Sequence, residues 1–199
     1  MEAVRLVKEL RKPFRAIYPT PVALVTSVSP EGRPNIITLA EVGMPCIADP
    51  LVIGLAINPG RYSHGLIRET GEFVVNLPPV GLLREVDYCG TVSGRDVDKF
   101  RETGLTPEPA THVRPPLIKE CPVNIECRLM RVTPLGYHDF FMGEGLAVHV
   151  DEAVLDDRGR LDFSKARPLV YNGGEYWSCG ERLGRHGFTR ALREHPRKK

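Results

Sequence analysis

The sequence of 199 residues contains 42% hydrophobic and 26% charged residues, a balance that predicts one globular domain over residues 1–199. The formal net charge of +2 is too small to indicate a nucleic-acid-binding or membrane-binding surface. No stretch has the apolar length of a membrane span, and the charged N-terminus lacks the apolar centre of a signal peptide, so we expect a cytoplasmic protein without membrane contact. The basic residues 190–199 predict a flexible tail.

The chain begins with a pattern that is typical of an amphipathic helix. Val4, Val7 and Leu10 recur at three-residue spacing between charged residues, which predicts a helix over residues 2–12. Short runs rich in β-branched residues then predict β-strands at 22–28, 35–40, 51–57 and 72–77. The first two strands are separated by the turn sequence PEGR at 30–33, so we expect them to form an antiparallel hairpin.

Two of the segments between strands are predicted to be helical. In residues 58–71, Ser63 is a candidate N-cap and Gly71 is a candidate C-terminal stop. In residues 81–104, the serine and aspartate at the ends of 93–96 have the spacing of a capping box, which predicts a helix start there.

Two longer β segments complete the pattern. Residues 123–132 alternate between apolar and polar side chains, which predicts a half-buried strand. Residues 139–155 continue as strand, and Gly143 and Gly145 predict a bulge or a close backbone approach. Because the strands are many and short and no βαβ alternation is present, we predict a mainly β fold with helical insertions, arranged as an antiparallel barrel or sandwich.

The sequence offers neither a set of catalytic side chains nor a metal site. Its six histidines show no zinc-binding spacing, and the G-x-S-x-G, G-x-G-x-x-G and Walker patterns are missing. The five cysteines contain no C-x-x-C pair, which predicts reduced, mostly buried thiols. Cys179 has two interpretations, a reactive thiol or a small buried hydrophobic residue, and we favour the second.

Two segments supply parts of an anion-binding site. Residues 58–64, with the sequence NPGRYSH, follow a strand and open a helix, and they combine backbone N–H groups with the Arg61 guanidinium and the Ser63 hydroxyl. A phosphate fits that set of donors, but a capped helix beside a solvated arginine is an alternative interpretation. Lys99 is the second part, with a surface lysine as its alternative.

An ordered set of segments resembles the flavin reductase-like family. These segments are PTPVALVTS at 19–27, NIITLA at 35–40, DPLVIGLAI at 49–57, RYS at 61–63 and TGEFVVNLP at 70–78. Residues 89–105 resemble the flavoredoxin-type members of the same family, and the whole resemblance covers about residues 14–180. It implies a Greek-key, antiparallel, FMN-binding split β-barrel that forms a homodimer and binds FMN without a covalent bond near the subunit interface.

The resemblance also implies which residues contact FMN. Residues 35–40 line the isoalloxazine ring, Arg61 and its neighbours hold the phosphate, and Lys99 closes over the cofactor or reaches it from the partner subunit. The complete set of expected cofactor contacts is Asn35, Ile37, Thr38, Leu39, Ala40, Arg61, Tyr62, Ser63, His64 and Lys99. Tyr176 and Trp177 either cover the ring or pack in the core.

A bound FMN would supply the redox chemistry itself, which accounts for a sequence without an acid–base pair. We therefore expect an FMN-dependent oxidoreductase that takes electrons from NADH or NADPH and passes them to a flavin, protein or small-molecule acceptor. A flavoredoxin-like electron carrier without its own NAD(P)H activity is the alternative. An oligonucleotide-binding barrel ranks last, because only 7% of the residues are aromatic and the net charge is nearly neutral.

Overall fold

The computed structural model describes residues 8–193. Its strands are β1 (Thr20–Pro21), β2 (Ala23–Val28), β3 (Pro34–Leu39), β4 (Val42–Cys46), β5 (Val52–Ile57), β6 (Glu72–Leu77), β7 (Pro107–Glu108), β8 (Leu117–Ile118), β9 (Val123–Pro134), β10 (Asp139–Val150), β11 (Leu169–Asn172) and β12 (Glu175–Ser178). Its α-helices are α1 (Tyr62–Thr70), α2 (Leu83–Thr91), α3 (Lys99–Thr103), α4 (Phe163–Ala166) and α5 (Phe188–Arg193). Two short 3₁₀ turns lie at Val80–Leu82 and Glu152–Val154.

Seven strands form one antiparallel sheet in the order β3-β2-β6-β9-β10-β5-β4. A second sheet has the order β1-β11-β12, and β7 pairs with β8. All six residues of β2 are buried, because β2 is covered on both faces. The predicted mainly β, antiparallel architecture with helical insertions is therefore confirmed.

The predicted hairpin is present. β2 pairs with β3 in antiparallel register from Ala23 opposite Leu39 to Val28 opposite Pro34. Gly32 has a φ of 89° and donates its N–H to the Ser29 carbonyl over 2.9 Å. That backbone conformation favours glycine, so the turn depends on the residue that the sequence places there.

The hydrophobic core has two main clusters, and β3 contributes to both. The first lies inside the seven-stranded sheet and contains Ala23, Val25, Ile37, Leu39, Ile53, Leu55, Ile57, Ile67, Phe73, Val75, Cys127 and Phe141. The second lies under α2 and α3 and contains Val22, Leu24, Ile36, Val86, Cys89, Phe100, Leu105, Ile118, Cys121 and Leu169. The period-two alternation of β3 sends neighbouring side chains to opposite faces. The strand is thereby fixed between the sheet interior and the helices.

Two glycines in β10 lie where its pairing with β9 is irregular. The pairing of β10 with β9 shifts register between Met142 and Gly143 and again between Gly145 and Ala147, as predicted. A Cβ atom on Gly143 would lie 2.4 Å from Cζ of Phe73, far inside contact distance. The bulge therefore lets the backbone approach a buried aromatic ring.

One charged residue of β9 is buried, although the apolar and polar side chains of this strand alternate. Glu126 lies on the face that the pattern predicts to be polar, yet none of its surface is exposed. Its Oε1 accepts the N–H of Thr111 over 2.9 Å, and its Oε2 accepts the N–H groups of His112 and Val113 over 2.6 and 3.1 Å. The carboxylate thus holds the connector between α3 and β9 against the sheet.

The predicted N-terminal helix is wrong where it can be checked. Residues 1–7 lie outside the described residues, and residues 8–12 have no helical conformation. The Leu10 side chain is fully exposed, and Phe14 is 71% exposed. A short amphipathic helix needs packing of its apolar face. Within residues 8–193 these side chains pack on no core, so the periodicity alone does not produce a helix.

The predicted helix starts also need correction. α1 begins at Tyr62 with Arg61 as its N-cap, so Ser63 lies inside the first turn and does not cap the helix. The segment 81–104 forms two helices, and the N-cap of α3 is Asp98, whose side chain accepts the N–H of Arg101. Ser93 instead accepts the N–H of Arg95 in the loop between them. The sequence contains two candidate N-caps for α3, Ser93 and Asp98, and Asp98, which is nearer to the helix, is the N-cap.

The cysteines are free thiols, as predicted, and Cys89, Cys121 and Cys127 are buried. Cys179 is exposed, so its assignment as a small buried residue is wrong. It follows the last strand of the smaller sheet, beyond the core clusters. Among residues 8–193, no helix is both long enough and apolar enough to cross a bilayer.

Candidate functional site

The loop of residues 58–61 leads into the N-terminus of α1 and is fixed by its own hydrogen bonds. The Asn58 side-chain oxygen accepts the N–H of Gly60 over 2.9 Å, and its carbonyl accepts the N–H of Arg61 over 3.0 Å. Arg61 is extended, and its side chain caps no amide of the helix. The first amides of a helix have no intrahelical partner and carry partial positive charge. This end of α1 therefore attracts an anion.

A cavity of about 180 Å³ lies at this helix end. β3, α1, α2, α3 and the loop between α2 and α3 all contribute to its wall. The lining residues are Asn35, Ile37, Gly60, Arg61, Tyr62, Ser63, Cys89, Gly90, Val92, Ser93, Gly94, Arg95 and Lys99. Three of these side chains are cationic, and within the described part of the chain none of the lining residues is acidic.

Asn35 and Ser63 join the strand to the helix at the floor of the cavity. Both side chains are buried, and Nδ2 of Asn35 donates to Oγ of Ser63 over 2.7 Å. Gly94 packs directly on this pair, since a Cβ atom there would lie 1.8 Å from Oδ1 of Asn35. Only glycine allows the α2–α3 loop to approach so closely, and this approach places Arg95 at the cavity.

Arg95 is a site residue that was not predicted from sequence. Its Nη1 donates to the Gly60 carbonyl over 3.2 Å, and its guanidinium carbon lies 5.2 Å from the centroid of the Tyr62 ring. These contacts hold an exposed arginine over the helix N-terminus. The sequence signal for this residue is the SGRD tetrapeptide at 93–96, whose spacing also matches a capping box and so predicts helix structure instead.

Lys99 is buried, which contradicts the surface-lysine alternative, and it lines the cavity. Its Nζ donates to the carbonyls of Ile36 and Cys89 over 2.7 and 2.6 Å, so it ties β3 to α2. It is therefore not a surface lysine, and its ammonium group is held by two backbone carbonyls at the edge of the cavity. Burial lowers the pKa of Lys99, and the nearby Arg61 lowers it further, whereas Cys89 opposes the shift. Burial also raises the pKa of the Cys89 thiol to about 11.

Six of the ten expected contact residues line the cavity, and four do not. Oγ1 of Thr38 donates to the Val86 carbonyl over 2.6 Å, and Leu39 is buried in the first core cluster. Ala40 follows the end of β3 and is half-buried. Nε2 of His64 lies 2.8 Å from Oδ2 of Asp139, so its ring is directed into the interior.

The C-terminal aromatic residues lie away from the cavity lining. The Tyr176 ring packs edge-on against Tyr171, with centroids 5.8 Å apart, and burial together with the Asp87 carboxylate raises the pKa of Tyr176 to about 12. Trp177 is exposed, and its Nε1 donates to Glu175 over 3.1 Å. Of the two interpretations offered from sequence, core packing describes Tyr176.

Comparison of the sequence with known protein families identifies the family to which this architecture belongs. The model of the flavin reductase like domain matches residues 14–180, which is most of the chain. The chain belongs to the flavin reductase-like family. The sequence-based resemblance is thereby confirmed, and the fold is the split barrel of that family.

Solved structures and sequence relatives extend this result. The flavoredoxin of Desulfovibrio vulgaris (Miyazaki F) is 33% identical with a TM-score of 0.86, covering 92% of this chain and 100% of that one. The flavoredoxin of Methanosarcina acetivorans is 32% identical with a TM-score of 0.84, covering 94% and 100%. An uncharacterized protein of Archaeoglobus fulgidus is 37% identical over 147 residues, covering 74% of this chain and 81% of the relative.

Proposed function

We propose that this protein is an FMN-dependent oxidoreductase that accepts electrons from NADH or NADPH and delivers them to a flavin, a protein or a small-molecule acceptor. The cavity at the N-terminus of α1, with three cationic side chains in its lining, is the observation that carries the proposal. An FMN-binding protein of Thermus thermophilus, 27% identical with a TM-score of 0.76 and covering 91% of this chain and 99% of that one, supports the choice of cofactor. FMN supplies hydride and single-electron transfer when it is bound.

The cavity fits the phosphate end of FMN. Arg61, Arg95, the Ser63 hydroxyl and the first amides of α1 are donors suited to phosphate oxygens. The volume of about 180 Å³ is below the roughly 300 Å³ at which drug-sized pockets begin. A bound isoalloxazine ring would therefore extend beyond the cavity, and the apolar Ile37 side chain would provide the wall on the β3 side.

The expected residues outside the cavity have more limited roles in this proposal. Leu39 and Ala40 offer backbone groups at the end of β3, since the Leu39 side chain is committed to the core. Thr38 fixes β3 to α2 through Val86, and His64 fixes α1 to the sheet through Asp139. These side chains position the elements that form the site.

We also propose a cytoplasmic homodimer. Several large apolar side chains are exposed among residues 8–193, including Leu10 at 102%, Ile17 at 88% and Ile47 at 81% relative accessibility. A second copy that covers such side chains would remove apolar surface from water. Sedimentation of the purified protein at several concentrations gives its mass, and a monomer throughout would contradict this part of the proposal.

The redox proposal is tested by the visible spectrum of the purified protein after incubation with FMN and removal of free flavin. We expect a yellow protein whose flavin absorbance is bleached anaerobically by NADH or NADPH. Free FMN at the same concentration, without protein, is the control for slow direct reduction. A colourless protein that leaves flavin fluorescence unchanged would contradict the proposal.

The position of the phosphate is tested in the same assay by Arg61→Ala. This change should weaken FMN binding about 10- to 100-fold, the usual effect of losing one charge-assisted hydrogen bond. Riboflavin lacks the phosphate, so its affinity should not change. Arg68→Ala removes an arginine from the other end of α1 and is the matched control. Equal losses for FMN and riboflavin would place the phosphate elsewhere.

A flavoredoxin-like electron carrier is the second candidate, and the two flavoredoxin structures favour it. The same cavity would hold FMN, but a reduced partner protein would be the electron donor. Stopped-flow mixing with NADH, NADPH and a reduced ferredoxin separates the two functions. Rapid bleaching by ferredoxin alone supports the carrier, and rapid bleaching by a nicotinamide supports the reductase.

A further inference from the structure

We infer that Arg95 makes the site selective for a flavin that ends in a phosphate monoester, and that it disfavours the longer dinucleotide FAD. This inference rests on the proposed function, because it concerns the same cavity. It assigns a specificity-determining role to a residue of the α2–α3 loop.

The first argument is the position of Arg95 in the cavity wall. Its guanidinium is held between the Gly60 carbonyl at 3.2 Å and the Tyr62 ring at 5.2 Å. Gly94 anchors the preceding backbone on buried Asn35, where no side chain fits. Arg95 therefore forms part of the cavity wall beside the helix N-terminus. A second phosphate and an adenosine group would have to displace this wall.

The second argument is the charge of the two ligands. A phosphate monoester carries close to two negative charges at neutral pH because its second pKa is about 6. Each phosphate of FAD has one ester bond and one anhydride bond to the other phosphate, so it carries one charge. Arg61, Arg95 and Lys99 together place three cationic side chains in the cavity lining. This lining favours the more highly charged end group.

The effect of titrating the FMN phosphate can be distinguished from the effect of titrating the residues in the cavity lining. The titratable groups in the cavity lining are Arg61 and Tyr62 from the start of α1, Cys89 from α2, Arg95 from the loop and Lys99 from α3. Burial raises the pKa of the Cys89 thiol to about 11, above the pH range of the experiment. Burial lowers the pKa of Lys99, and protonation of Lys99 between pH 8 and pH 5 would strengthen the FMN preference, which is opposite to the expected change. FAD, whose phosphate charges stay constant over this range, is the control for pH effects on the protein.

The experiment measures FMN, FAD and riboflavin affinities by flavin fluorescence at pH 8 and pH 5 for the wild type, Arg95→Met and Arg101→Met. We expect the wild type to bind FMN at least ten times more tightly than FAD at pH 8. Between pH 8 and pH 5 the FMN preference should fall by up to about tenfold, since most of the phosphate loses its second charge.

Arg95→Met keeps much of the stem but removes the charge, and it should reduce the FMN-to-FAD ratio at pH 8 about tenfold. Unchanged riboflavin affinity shows that this variant is folded. Arg101→Met alters an exposed arginine of α3 and should leave the ratio unchanged. Equal affinity for FMN and FAD, or an unchanged ratio in Arg95→Met, overturns the inference but leaves the proposed function intact. Failure to bind any flavin overturns both.

Discussion

Glu126 is a charged side chain in a fully buried position, and its surroundings explain how the fold tolerates it. Burial alone would raise the pKa of Glu126. The amides of Thr111 and His112, together with His149, whose Nε2 lies 2.6 Å from Oε1, instead hold that pKa below its usual value. A carboxylate that accepts several N–H groups is stabilised in its charged form. The connector before β9 therefore depends on one ionised group.

This dependence predicts the pH profile of Glu126→Gln. Since the folded pKa lies below the unfolded value of about 4.3, the carboxylate contributes stability above that value and loses it as pH falls through the folded pKa. We expect the variant to be about 2–4 kcal/mol less stable at pH 7, because its amide group cannot accept all of these N–H groups. The difference should shrink below pH 4. Urea unfolding at several pH values measures it.

Glu120→Gln is the matched control for this prediction. The Glu120 carboxylate accepts a single amide, that of Thr106, in an exposed position over 3.0 and 3.2 Å. We expect a loss of stability within about 1 kcal/mol at pH 7. Similar losses in the two variants would mean that the buried carboxylate is not specially stabilised.

Among individual residues, the sequence predicts those parts of the cavity that belong to a local motif. Arg61 and Ser63 were identified because a loop that opens a helix exposes amides next to them. The partners of Lys99 and the position of Arg95 depend on contacts between α2, α3 and β3, which are distant in sequence. His64 is adjacent to Ser63 but points to Asp139, since neighbouring residues of a helix face different directions.

At the scale of elements, the predictable strands are those with uninterrupted β-branched runs. β4 was not predicted, because Gly43 and Pro45 disrupt its pattern. It forms at the edge of the sheet, where proline and irregular pairing are tolerated, and its register with β5 shifts after Gly43. The order of strands in the sheet places β6 beside β2 and β9, and no local pattern encodes this non-local pairing.

The bulge in β10 gives a prediction at this scale. Gly143→Ala places a methyl group against the fully buried Phe73 ring, so we expect a loss of about 1–3 kcal/mol from overpacking. Gly43→Ala in β4 is the matched control, because a Cβ atom there meets no atom within 4 Å. Its stability should change by less than about 0.5 kcal/mol. Equal urea midpoints for the two variants would show that the sheet adjusts without cost.

In the whole molecule, we expect the two core clusters to unfold together. β3 contributes Ile37 to the first cluster and Ile36 to the second, so the clusters share a strand. Lys99 ties this shared strand to α2, since its Nζ donates to the carbonyls of Ile36 and Cys89, both in the second cluster. The sequence predicts a single domain, and these links give it a physical basis.

The buried cysteines test this prediction without any mutation. Cys127 belongs to the first cluster, and Cys89 and Cys121 belong to the second. Exposed Cys179 should react at once with a thiol reagent, whereas the buried thiols react only after the surrounding core opens. If the two clusters form one cooperative unit, peptide mass spectrometry across a urea series should give all three buried thiols the same opening free energy within about 0.5 kcal/mol. Earlier labelling of Cys89 and Cys121 than of Cys127 would show that the helical side opens separately. The shared strand would then be too weak a connection to couple the cavity at the start of α1 to the barrel.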